Sequence, residues 1–275
     1  MEHDTTVQGG PDLATYDVIL VNSSAGKDSQ AMLTHVVELC DAQGIERRRV
    51  IVVHCDLGRV EWQGTKALAK TQAEFYGLRF EVVSRPQGDL LDHVEARGMW
   101  PSSAARYCTS DHKRGQVEVL MTKLAKEHSD LGRPVRILNC MGLRAEESPA
   151  RAKRVAFSHN NRASSGKKWV DEWLPVHEWK LGKVWETIRR SQVPHHYAYD
   201  LGMPRLSCCF CIFSPDAGLL LAGYHNRELL AEYTRVERKI GHTFRVKTTL
   251  VQIEEKLAAG FVPGRVMDTD WMQCA

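Results

Sequence analysis

Two clusters of residues in this chain have the types and spacing for chemistry. The first is Ser23-Ser24-Ala25-Gly26-Lys27-Asp28-Ser29, directly after the apolar run Val18-Ile19-Leu20-Val21. Small residues let backbone N–H groups come close to a ligand, and Asp28 and Ser29 suit the first turn of a helix. A helix start gathers unpaired N–H groups and the positive end of the peptide dipoles, and Lys27 adds a full charge. That combination predicts a phosphate cradle at a surface turn. It is not a Walker A loop, which requires Gly where Val21 stands and Ser or Thr where Asp28 stands. The second cluster is Cys208, Cys209 and Cys211, with Cys108 far upstream. Cys208-x-x-Cys211 is a metal-type spacing, and Cys108 lies among Arg106, Lys113 and Arg114, whose charge favours thiolate.

The adjacent pair Cys208–Cys209 fits a regular zinc tetrahedron poorly, whereas an iron–sulfur cluster accepts three or four thiolates at varied spacing. Structural zinc and a metal-free apolar turn remain alternatives. Neighbouring residues of extended backbone point to opposite sides, so Cys209 is expected off the cluster.

These side chains need a scaffold. Val18–Val21 reads as a strand buried on both faces, followed by a helix through Leu39. Val50–Cys55 reads as a second buried strand, Phe80–Ser84 as a third and Val135–Met141 as a fourth, with helices over Trp62–Tyr76 and Gln116–Lys126 between them. Strand–helix–strand order predicts a parallel sheet with ligands beyond the C-terminal strand ends. Asp56 ends the second strand and is placed either beside the nucleotide or as a helix cap. Leu181–Ser191, Pro215–Tyr233 and Val246–Ala258 read as helices. Residues 1–15 read as a flexible lead-in, 16–150 as the nucleotide-binding α/β domain, and 151–168 as a mobile basic loop. Residues 169–265 read as a C-terminal part with the cysteines and helices, and 266–275 as a tail.

Ser24-Ala25-Gly26-Lys27-Asp28-Ser29 resembles the Ser-Gly-Gly-Lys-Asp-Ser loop of the PP-loop ATP pyrophosphatases, a superfamily that includes the phosphoadenosine phosphosulfate (PAPS) reductases. Three further segments resemble the PAPS-reductase-like family in the same order. They are Arg106-Tyr107-Cys108-Thr109 with Lys113, then Gly142-Leu143-Arg144-Ala145-Glu146-Glu147-Ser148, then the run from Pro175 to Ser207-Cys208-Cys209-Phe210-Cys211-Ile212. The resemblance implies a doubly wound, mostly parallel sheet of the adenine nucleotide alpha hydrolase type, with a helical, cysteine-bearing C-terminal subdomain. It implies that ATP with Mg²⁺ is bound by Ser23, Ser24, Ala25, Gly26, Lys27, Asp28, Ser29, Asp56 and Gly142, with Lys27, Asp28 and Arg144 catalytic. Gly142 would let backbone approach the nucleotide, and Arg144 would offer its planar fork to phosphate. Glu146 and Glu147 would hold Mg²⁺ or pair with arginine. Cys108, Cys208 and Cys211 would carry a 4Fe–4S cluster, with Cys209 as the alternative fourth ligand.

The implied reaction is adenylylation of an acceptor with loss of pyrophosphate, followed by sulfur insertion. The nearest resemblance is to the DndC- or SspD-like ATP pyrophosphatases of DNA phosphorothioation. Expected partners are a nucleic-acid acceptor, with DNA favoured, a cysteine desulfurase as sulfur donor, and a second copy of the chain. A PAPS or adenosine phosphosulfate reductase is the rival; such enzymes use a C-terminal Glu-Cys-Gly-(Ile/Leu)-His, where this tail reads Gln273-Cys274-Ala275. A non-catalytic nucleotide module with a zinc staple is the third reading.

With 43% hydrophobic and 26% charged residues the chain has the composition of a globular protein, and a net charge of +3 suits an anionic ligand without demanding one. No apolar run reaches the roughly 18 residues of a membrane span, and the polar start lacks a signal core, so a cytoplasmic protein is expected. Eight cysteines in that setting point to metal or redox chemistry rather than disulfides.

Overall fold

The structure is a computed structural model that describes residues 6–7 and 10–267. The expected tail segment Asp268–Ala275 and most of the first nine residues lie outside the described residues. The chain divides into two compact units interleaved in sequence. The first is the described part of Met1–Cys55 with Lys66–Val83 and Val117–His195; the second is Asp56–Thr65, Ser84–Gln116 and the described part of His196–Ala275. The second unit thus begins in the loop after the second strand, and its pieces are not consecutive as a division at residue 150 would have them.

The first unit is built on a six-stranded sheet. Its strands are β1 (Val18–Asn22), β2 (Val50–Cys55), β3 (Arg79–Val83), β4 (Val135–Met141), β5 (Phe157–His159) and β6 (Lys168–Trp173). The order across the sheet is β3-β2-β1-β4-β6-β5, parallel throughout except for the edge strand β5. The order reverses at β1, so the C-terminal ends of β1 and β4 flank the crevice where doubly wound sheets place ligands. Register fixes that crevice: Asn22 lies beside Val53 on one side and Met141 on the other. The Asn22 amide donates to Asn139 Oδ1 at 2.7 Å and to the Cys140 carbonyl at 2.9 Å, tying the two strand ends together.

Both faces of the sheet are covered, which is why β1 is apolar at every position but its last. Ile19, Val21, Val50 and Val52 pack on one face with Met32, Leu33, Val36 and Val37 of helix α1 (Lys27–Ala42). Val18, Leu20, Ile51 and Val53 pack on the other, with Val117, Leu120, Met121 and Leu124. Helix α2 runs over Thr65–Phe75; three residues fewer than expected lie at its start, where Trp62 to Gly64 form a turn. The lead-in is anchored from Leu13 onward: Leu13 and Tyr16 are fully buried, and Arg49 donates to the Leu13 carbonyl at 3.1 Å. The segment read as a basic loop contains β5, paired antiparallel to β6.

The second unit is helical. Helix α3 (Leu90–Arg97) opens with a reciprocal cap between Asp89 and Asp92. Helix α4 (Gly115–Glu127) begins in this unit and continues in the first. Leu181–Ser191, helix α5, belongs to the sheet unit. The single helix expected over Pro215–Tyr233 is two, α6 (Asp216–His225) and α7 (Arg227–Ile240), because Asn226 leaves helical backbone at φ −133°, ψ 60°. Helix α8 spans Leu250–Ala258. These pack on Leu57, Val60, Trp62, Leu90, Leu91 and Trp100, with Trp100 stacked on Tyr233 at 5.4 Å between centroids. No helix among the described residues is long and apolar enough to cross a membrane.

Candidate nucleotide site and cysteine group

The cradle sits between the end of β1 and the start of α1. Ser23 N–H donates to the Val53 carbonyl at 2.8 Å, which continues the sheet pairing one residue past the strand. The chain then turns at Ala25, whose φ of +56° is left-handed. A side chain there costs about 1–2 kcal/mol, so glycine is the residue this turn favours and Ala25 carries strain. Three serines line the turn. Ala25 N–H donates to Ser23 Oγ at 3.2 Å, Gly26 N–H to Ser24 Oγ at 3.4 Å and Ser24 N–H to Ser29 Oγ at 3.2 Å. Ser29 Oγ also donates to the Gly26 carbonyl at 2.9 Å. Long bonds to rotatable hydroxyls keep these N–H groups oriented and are easily exchanged for phosphate oxygens.

Lys27 is the first residue of α1 and is only 2% exposed, so it is not at the surface turn expected for it. The segment after β4 packs against the same first turn. Gly142 lies flat on the first turn of α1: a Cβ on it would come within 2.9 Å of both the Ser29 nitrogen and Cα. The close backbone approach that glycine permits is therefore to the helix itself. Lys27 Nζ stands 3.4 Å from Asp28 Oδ2.

Arg144 is buried, and its Nε and Nη1 are each held by a carboxylate. Its Nε donates to Asp28 Oδ1 at 2.5 Å, and Nη1 to Glu146 Oε2 at 2.5 Å and to the Trp179 carbonyl at 3.2 Å. Burial alone would lower its pKa, but the Asp28 charge and the bonds to Asp28 and Glu146 carry it above the ordinary value. Glu146 Oε2 in turn accepts from Leu181 N–H at 2.9 Å, at the first residue of α5. Its carboxyl is held below the usual range: burial opposes this, and Arg144 and the Leu181 N–H outweigh it. Glu147 accepts from the Arg144 backbone at 3.1 Å and pairs with Arg151. Asp28, Glu146 and Glu147 thus each hold an arginine, and α1 and α5 start from one ionic network. Nothing in the sequence marks the Asp28–Arg144 bond, since the residues are 116 apart.

Asp56 belongs to the other unit, where its Oδ1 accepts from Gly58 N–H at 2.9 Å and closes the turn after β2. All four cysteines of the second cluster also lie in that unit. Cys209 is 1% exposed in the apolar core, and its N–H donates to the Val60 carbonyl at 2.9 Å. Cys108, Cys208 and Cys211 are partly exposed. Burial pushes the Cys208 thiol up to about 12; Lys113 opposes the shift, and Cys211, Glu61 and Cys108 add to it. Cys211 is raised likewise by burial, with Cys108 adding and Lys113 and Arg106 opposing. The three thiols therefore share one electrostatic field with two cations beside it. Among the described residues no group of three or more His, Cys, Asp or Glu is arranged to hold a metal ion, so these thiols are neighbours rather than a formed cage. Thiolates are soft ligands of the kind that iron–sulfur clusters and zinc accept.

Comparison with known proteins covers both centres. A profile of the phosphoadenosine phosphosulfate reductase domain matches residues 18–214, from the start of β1 past Cys211. Adenosine 5′-phosphosulfate reductase of Allochromatium vinosum is 25% identical over 198 residues, 71% of this chain and 68% of that protein. An uncharacterized 37.8 kDa protein of Escherichia phage 186 is 26% identical over 147 residues; the match covers 54% of this chain and 42% of the phage protein. Among solved structures, the U34-tRNA thiolase NcsA of Methanococcus maripaludis with its 4Fe–4S cluster aligns over 93% of this chain and 77% of that one, at 14% identity and a TM-score of 0.47.

Proposed function

The chain belongs to the phosphoadenosine phosphosulfate reductase domain family, and on that premise we propose that it is an ATP pyrophosphatase that activates an acceptor for sulfur insertion, with the DNA backbone as the favoured acceptor. The observation that carries this reading is the buried Lys27 at the head of α1, inside a serine-lined turn at the point where strand order reverses. An acceptor oxygen attacks the α-phosphorus of ATP, the bond to the bridging oxygen breaks, and pyrophosphate leaves with the electron pair. Lys27 and the N–H groups of the turn meet the charge that develops on the departing group. Asp28, held by Arg144, fixes the ammonium of Lys27 in place. Arg144 acts through Asp28 and Glu146 as a positioning residue. Sulfur then displaces AMP from the acceptor.

Because its nearby carboxylates are shared with arginines, this site would receive Mg²⁺ with the nucleotide phosphates, where the ion neutralises charge on the leaving group. Cys108, Cys208 and Cys211 would hold a 4Fe–4S cluster, which supplies a site for sulfur delivery when bound. A cysteine desulfurase as donor and a homodimeric assembly belong to the same proposal.

The 25% identity to adenosine 5′-phosphosulfate reductase supports a second reading, thiol-dependent release of sulfite from a phosphosulfate nucleotide. One pair of assays separates the two: pyrophosphate release from Mg-ATP with acceptor, and sulfite release from PAPS or adenosine phosphosulfate with a thiol donor. Lys27→Met should lower pyrophosphate release by about 100-fold or more, the scale of losing a principal charge at the reacting phosphate. Sulfite formation with no pyrophosphate release would replace the first reading by the second.

A further inference from the structure

We propose that the β5–β6 hairpin carries a stacking platform for single-stranded nucleic acid, made by Trp169 and His159. The proposal rests on the reading of the acceptor as a nucleic acid and gives it a surface. Its foundation is Asp171, a carboxylate 4% exposed in the middle of β6. Asp171 Oδ1 accepts from His159 Nδ1 at 2.8 Å and from Trp169 Nε1 at 3.0 Å; Oδ2 accepts from Tyr16 Oη at 2.8 Å and from Trp169 Nε1 at 3.0 Å. Tyr16 is fully buried, and burial together with Asp171 raises its pKa, so it stays a donor. One buried carboxylate therefore fixes two rings, whose centroids lie 4.0 Å apart.

Trp169 nonetheless remains 47% exposed. Its N–H is turned inward and its rotamer is fixed, so its free surface is flat, apolar and already ordered. A partner that stacks on it pays little conformational entropy, which is the condition for strong aromatic recognition. The surroundings favour a polyanion. Residues 151–168 hold six Lys and Arg and no Asp or Glu. Arg151, Arg154 and Arg162 pair with Glu147, Glu172 and Glu118, and Lys168 donates to Thr122. Lys153 and Lys167 are exposed. Lys167 precedes Trp169 at one end of the hairpin, and the register Phe157–Trp173 sends Lys153 toward the other. Positive charge and an exposed aromatic ring are the two elements by which proteins bind unpaired bases without sequence preference.

The test titrates the full chain, without ATP, into labelled oligo(dT) and oligo(U) and reads anisotropy. Trp169→Ala should weaken binding about fivefold or more, the scale of one lost stacked base. Trp169→Phe also loses the indole N–H but keeps a ring, so it should stay close to the parent; thermal unfolding of both variants tracks the shared loss of the Asp171 bond. Replacing Lys153 and Lys167 by Glu should make the salt dependence shallower. Unchanged affinity in Trp169→Ala, equal loss in Trp169→Ala and Trp169→Phe, or no binding to either oligonucleotide would overturn the platform. Pyrophosphate release measured in parallel keeps the two questions apart. Binding without turnover counts against the pyrophosphatase reading only, and turnover without Trp169-dependent binding counts against the platform only.

Discussion

Arg144 Nε donates to Asp28 Oδ1 at 2.5 Å, so the residue after Lys27 is held by a side chain 116 positions away. This bond ties Arg144 to the first turn of α1. Asp28→Asn leaves Arg144 buried with Glu146 as its remaining acid. The cost should fall below the about 3–5 kcal/mol of a fully orphaned buried charge. Denaturant unfolding measures it, and pyrophosphate release should fall together with stability. Full activity in a destabilised Asp28→Asn would show that Asp28 serves folding alone.

Gly142→Ala places a methyl 2.9 Å from the Ser29 backbone. Backbone cannot yield as a side-chain tip does, so either the segment after β4 or the first turn of α1 must shift. We expect a loss of about 1–3 kcal/mol, typical of overpacking, and weaker ATP binding by calorimetric titration. Wild-type affinity with wild-type stability would mean that the two backbones part without consequence.

The cysteines divide by environment. After anaerobic reconstitution with iron and sulfide, Ser at Cys108, Cys208 or Cys211 should abolish the visible iron–sulfur absorbance. Cys209→Ser should keep it and instead lower stability, since a hydroxyl would replace a thiol in a core position 1% exposed. Retained absorbance in Cys108→Ser would remove the cluster assignment; equal loss in Cys209→Ser would make it a closed site with four thiolates.

Acid should loosen the sheet at one identifiable point. Asp17 binds Arg133 through both oxygens at 2.7 Å and accepts the Arg136 N–H at 2.8 Å, pinning the start of β1 to that of β4. Burial pulls its pKa up, but Arg133 and the Arg136 N–H outweigh burial and hold it below the model-compound value of 3.8. A depressed carboxylate contributes its full stability above the unfolded pKa and loses it as pH falls through the folded one. Asp17→Asn should therefore be less stable than the parent at neutral pH, with the gap closing below about pH 4. A gap that does not change with pH would assign the difference to lost packing.

Much of this was legible in the sequence because the signals were local. The run Val18–Val21, the strand Val135–Met141 and the helix Leu181–Ser191 each carry their own pattern, and all three lie where that pattern puts them. Strand β5 was not legible: three residues, Phe157 to His159, lie between polar stretches and pair with a strand whose own Asp171 is buried only through Tyr16, His159 and Trp169. The break at Asn226 has no Pro to announce it, and Gly223 just before it lies inside α6, as an isolated Gly in a helical pattern can. The close packing of Gly142 on the Ser29 backbone joins residues far apart in sequence, and no local pattern reveals it.

The interleaving of the two units sets an order for synthesis. When His195 leaves the ribosome the whole sheet unit has been made. Asp56–Thr65 and Ser84–Gln116 have been made too, but the helices they pack with have not. Leu57, Trp62, Leu90, Leu91 and Trp100 then wait without their partners until the last part of the chain emerges. A nascent chain stalled at that stage should be a client for chaperones that bind exposed aromatic and leucine side chains, while its β-sheet is already in place.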